Sequence, residues 1–166
     1  MDKNIRSVLR SQFTAALELL EKALQDCPDS LWKGRLWRER ERHPQTAEFW
    51  YIASQALLNA DRTLSTGSEK VDTRPPRHEK ESARDTFVPG KVYSRDELLK
   101  YLAYCRRKSR SCINRLSDET RPFHRETTSI NLLLDTVRHI QAHAAQLNLY
   151  LGQARNNPTR WISLDQ

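Results

Sequence analysis

A chain of 166 residues is long enough for one hydrophobic core and short for two, so a single domain spanning residues 1–166 is expected. An apolar share of 37%, a charged share of 30% and only four glycines give a sheet little to build on and suit amphipathic helices with solvated outer faces. The formal charge of +7 raises the question of a polyanionic partner, but the cations are mixed with acids, as in Lys33 to Arg42 (KGRLWRERER), and nucleic acid is set aside in favour of a solvated surface.

The first helical pattern runs from Ile5 to Leu24, through Val8, Leu9, Phe13, Ala16, Leu17, Leu20 and Ala23, and ends near Cys27 because Pro28 cannot continue it. Asp29 to Gln45 reads as a connection with a short helical turn, its Trp32 and Trp37 folded over one end of a bundle. A second helix is expected from about Thr46, as N-cap, to Leu64, with Phe49, Ile52, Ala53, Ala56, Leu57, Ala60 and Leu64 inward. Ser65 to Gly90 is then a long connection, better suited to a crossover along the bundle than to a tight turn.

Ser94 and Glu97 form a capping-box pattern ahead of Leu98, Leu99, Leu102, Cys105, Ile113 and Leu116, so a third helix starts there. After a link containing Pro122, a fourth helix begins near Thr127 or Thr128. It carries Ile130, Leu133, Leu134, Val137, Ile140, Ala144, Leu147 and Leu151 as a core stripe, and Asn156, Asn157 and Pro158 stop it. Four helices with one long connection give an all-α four-helix bundle.

Cys27, Cys105 and Cys112 are odd in number and include no CxxC pair, which fits buried thiols in a reducing compartment. No apolar run approaches the roughly 20 residues needed to span a bilayer, and the first residues lack a signal-peptide pattern, so a cytoplasmic location without a membrane partner is expected.

The chemistry is concentrated in Val137 to Gln153, VRHIQAHAAQLNLYLGQ. His139 and His143 sit four residues apart on one helix face, with Cβ atoms about 6 Å apart, close enough to share one cation. Gln146 and Tyr150 extend their stripe. A catalytic zinc site usually takes three protein ligands, and the inner face of the second helix offers no histidine but Gln55 or Ser54. Other sources of a third ligand are Asp135, His124 and His43. In a second reading the same histidines are neutral core groups, hydrogen-bonded to Gln55 in a polar network without catalysis.

Together these residues resemble the DinB-like (YfiT-like) superfamily of four-helix metalloproteins, over most of the chain. Phe49, Trp50, Ile52 and Ala53 resemble its second-helix motif, and Tyr93 to Leu99 with Tyr101 and Cys105 its third-helix start. His139, His143 and Gln146 resemble its HxxxHxxQ signature, and Trp161 its closing tryptophan. The resemblance implies a divalent ion, zinc or nickel, held by one ligand from the second helix and two from the fourth, which places the metal ligands at Gln55, His139 and His143. It also implies a hydrolase or thiol-dependent transferase acting on a small-molecule or thiol substrate, and relatives that often pair as homodimers. Gln55 stands where the family has a histidine, and an amide oxygen is a poorer zinc ligand than imidazole.

Overall fold

The computed structural model describes residues 3–38, 44–65, 91–116 and 129–157. Four helices carry the architecture: α1 (Lys3–Asp26), α2 (Phe49–Leu64), α3 (Arg95–Asn114) and α4 (Ser129–Arg155). Short 3-10 turns occupy Asp29–Leu31 and Pro44–Ala47. No strand occurs among the described residues, and the expected four-helix bundle is what forms. No helix among them is long and apolar enough to cross a membrane.

α1 and α2 each pack against both α3 and α4, so α1 faces α2 across one diagonal and α3 faces α4 across the other. Contacts fix the directions. Arg95 at the start of α3 donates to the Leu24 and Cys27 carbonyls at the end of α1, and Arg6 near the start of α1 donates to the Leu116 carbonyl just past α3, so α1 and α3 run antiparallel. Trp50 meets Tyr93, the Cys105 thiol donates to the Leu57 carbonyl and Lys108 reaches Ser65, so α2 and α3 run parallel. Tyr150 near the end of α4 meets Phe49 at the start of α2, which makes α2 and α4 antiparallel. The ends joined by residues 66–90 therefore lie at opposite ends of the bundle, and a parallel pair needs a connection of that length.

The core follows the helical spacing. Leu9, Phe13, Leu17, Leu20 and Leu24 of α1 meet Phe49, Trp50, Leu57 and Leu64 of α2, Leu98, Leu102 and Ile113 of α3, and Leu133, Ile140, Leu147 and Leu151 of α4 in one buried cluster. Burying a Leu or Ile side chain contributes about 1.5–3 kcal/mol. Three positions depart from the expected stripes: Ile5 is 41% exposed, Val8 57% and Leu134 40%. Val8 and Leu134 sit at the margins of their helices' apolar arcs, and Ile5 lies in the first turn of α1.

Helix ends are where local spacing misleads most. Ser94 accepts from the Glu97 N–H while Glu97 accepts from the Ser94 N–H, so the capping box at α3 forms as expected. At α2 it is different: Thr46 lies inside the 3-10 turn, the helix starts at Phe49, and Glu48 occupies the N-cap without a side-chain cap bond. The free N–H groups of that first turn are taken up by the preceding connection, Phe49 N–H by the Gly34 carbonyl at 2.9 Å and Trp50 N–H by the Trp32 carbonyl at 3.2 Å. Trp32 packs over this end, donating to the Tyr93 carbonyl at 2.8 Å, whereas Trp37 is 42% exposed.

Candidate functional site

α4 carries the histidine pair near its middle rather than at one end, His139 ten residues and His143 fourteen beyond Ser129. Their rings lie 4.5 Å apart between centroids at 80°, edge to face, and both are half-buried. Burial holds each imidazole below the ordinary histidine pKa; Asp135 partly opposes this at His139, and the neighbouring His139 adds to it at His143. Both rings are thus biased toward the neutral form that has a lone pair to offer a metal.

The antiparallel register brings Gln55 to the level of the pair along the bundle. Gln55 is six residues beyond Phe49, about 9 Å along α2, and the same distance back along α4 from Tyr150 reaches Ala144. Gln55 and His143 are therefore at one level, with His139 a turn farther on. Gln55 Nε2 and His139 Nε2 are both sealed from solvent and lack a hydrogen-bond partner. A buried polar atom left so costs about 1–3 kcal/mol. His143 differs: its Nδ1 lies 3.0 Å from the amide oxygen of Gln146, which is exposed.

The remaining candidates separate clearly. Asp135 is 73% exposed and lies 3.8 Å from Arg138, so its carboxylate belongs to the solvent face rather than to a ligand set. His43, His124 and Trp161 lie outside the described residues. Among the described residues no three His, Cys, Asp or Glu side chains come together as a metal-holding group. His139, His143 and Gln55, the ligand set expected from the sequence, all lie among the described residues. The two imidazoles fit that role, and the sealed position at Gln55 fits it once the amide is turned so that Oε1 replaces Nε2, a rotation that leaves the heavy-atom outline unchanged.

A second polar cluster, between α2 and α3, went unnoticed in the sequence. Lys108 pairs with the Asp61 carboxylate, donates to the Asp61 carbonyl at 3.2 Å and reaches Ser65, while Tyr101 donates to Asp61 at 3.1 Å. The Lys108 ammonium also lies 5.4 Å from the Tyr104 ring centroid. The seven-residue spacing of Tyr101 and Lys108 puts both on one face of α3, which was the available signal. These groups satisfy one another and tie the parallel helices together.

The three cysteines are buried thiols in no disulfide, as expected. Compared with protein-family models, with curated proteins and with solved structures, the chain matches none.

Proposed function

We propose that this bundle binds a divalent metal ion, nickel or zinc, through His139, His143 and Gln55, and uses it in hydrolysis or thiol-dependent transfer on a small-molecule substrate. One observation carries the reading: at adjoining levels of two packed helices, Gln55 Nε2 and His139 Nε2 are sealed from water without a partner. Buried polar atoms normally have partners; an ion takes the lone pair of His139 Nε2 and, once the Gln55 amide is turned, that of its Oε1. The resemblance of His139, His143 and Gln146 to the HxxxHxxQ signature of DinB-like metalloproteins supports the same assignment. A bound ion supplies Lewis acidity and lowers the pKa of a coordinated water or thiol. The chain's own contribution is to hold two neutral imidazoles in place and to keep the site half-shielded from water.

The residues do not make a strong site. An amide oxygen contributes less to zinc affinity than imidazole does, so a weaker and more exchangeable ion is expected than in a three-histidine site. The test is metal content after purification without chelator, followed by uptake on adding nickel or zinc. About one equivalent in the native protein, lost in His143→Ala, supports the reading; less than about a tenth of an equivalent with no uptake overturns it.

A second reading is a non-catalytic bundle in which Gln55 and the histidines form a polar network. The His143–Gln146 contact favours it, because it already satisfies one ring nitrogen within the protein. The same metal measurement separates the two.

A further inference from the structure

We infer that Gln146 is a positioning residue: its amide oxygen accepts a hydrogen bond from His143 Nδ1–H and so fixes the ring in the tautomer whose lone pair is on Nε2. His143 Nδ1 and Gln146 Oε1 lie 3.0 Å apart, a normal hydrogen-bond separation. An amide oxygen only accepts, so the hydrogen is on Nδ1. In a neutral imidazole the other nitrogen then carries the lone pair, and the bond made by one ring nitrogen decides what the other can do.

The helix supplies this arrangement. Gln146 is three residues beyond His143 on α4, and side chains three apart are neighbours on a helix surface. Free histidine in water favours the opposite tautomer, with hydrogen on Nε2, so the Gln146 contact works against the intrinsic preference. A hydrogen bond of ordinary net strength shifts the tautomer ratio roughly two- to tenfold. His139 has no such partner: among the described residues none bonds its ring, and its Nε2 is sealed and unpaired. The two histidines are therefore unequal, one with its tautomer set by the protein and the other left to whatever occupies the site.

The consequence for metal binding rests on the proposed function, since only there does the Nε2 lone pair become a ligand. The tautomer itself does not depend on it. Partners of this kind typically change metal affinity 10- to 100-fold when removed.

The experiment uses the metal-free full chain labelled with 15N-histidine, at a pH alkaline enough for neutral rings, with His143 assigned through His143→Gln. Two-bond ring correlations report which nitrogen carries the hydrogen. The wild type and Gln146→Glu, which keeps an acceptor, are expected to show His143 protonated at Nδ1, and Gln146→Leu to move most of the population to Nε2–H. Because Gln146 is exposed, that variant leaves the core intact. A wild-type His143 protonated at Nε2, or an Nδ1–H population undiminished in Gln146→Leu, overturns the inference. Nickel titration of the same proteins is expected to show affinity about 10-fold or more weaker in Gln146→Leu. Absence of nickel binding in the wild type removes the proposed function, while the ring correlations still decide the role of Gln146.

Discussion

The Tyr150 hydroxyl fills the space that a side chain at Gly34 would need. A Cβ built at Gly34 overlaps that hydroxyl and comes within 3.1 Å of Tyr150 Cζ and 3.0 Å of the Leu31 carbonyl oxygen. Gly34 also offers its carbonyl to the first N–H of α2, so one residue seats the connection after α1 on the ends of both site-bearing helices. Gly34→Ala is expected to lower stability by about 1–3 kcal/mol, the usual cost of overpacking. Adding Tyr150→Phe removes the worst overlap, and the double variant should unfold at a higher urea midpoint than Gly34→Ala alone. Additivity of the two changes would show that they do not touch.

The Asp61–Lys108 pair gives a second test. The side chains are 18% and 13% exposed, and Tyr101 donates to the same carboxylate, so removing one partner strands the other in a poorly hydrated place. Asp61→Ala is expected to cost about 2 kcal/mol, less than a fully buried pair because some solvent reaches it. Asp61→Ala with Lys108→Met should recover much of that loss in urea unfolding. A double variant as unstable as the sum of the two single ones would mean the pair does not interact.

Cys27 predicts a pH dependence. Its thiol is 1% exposed, and burial pushes its pKa up from 9.0 to about 12, with the Arg95 and Arg155 charges opposing the shift. Between these values the unfolded chain releases the proton and the folded chain keeps it. The stability contributed is therefore complete below about pH 9 and is lost as pH rises toward 12. Urea midpoints at pH 8 and pH 10.5 should fall farther apart in the wild type than in Cys27→Ala. Equal falls would show that Cys27 is not the group responsible.

The end of α4 gives a fourth prediction. Asn156 has φ 50°, with Asn157 N–H bonding the Gly152 carbonyl at 3.0 Å and Asn156 N–H bonding the Gln153 carbonyl at 3.4 Å, the pattern of a left-handed helix stop. Asn156→Gly is expected to be neutral or stabilising by a few tenths of a kcal/mol, and Asn156→Ala to destabilise by about 1 kcal/mol. Thermal unfolding of the two variants, read side by side, checks the sign.

Periodicity made the bundle legible because each helix buries one continuous stripe, and the capping box at Ser94 and the stop at Asn156 were legible because both are local. Thr46 misled for the opposite reason: α2 is capped by carbonyls of Trp32 and Gly34, more than ten residues earlier, and no local pattern announces a bond formed by folding. The Asp61–Lys108 pair was hidden for the same reason, being made across two helices. Of the candidate site, His139 and His143 were visible as an i, i+4 pair, while Gln55 was expected opposite them only from the family resemblance. What spacing alone did not give is which ring nitrogens and amide atoms are sealed and which are bonded, since that depends on how α2 and α4 pack.

The most direct measurement is calorimetric titration of nickel, and separately zinc, into chelator-treated wild type beside Gln55→His. The proposed site predicts that the wild type binds about one equivalent and that Gln55→His binds the same equivalent more tightly, by 10-fold or more, because imidazole replaces an amide oxygen. No binding to either protein, with both folded, would contradict the account, since it would mean that His139 and His143 do not share a site with residue 55.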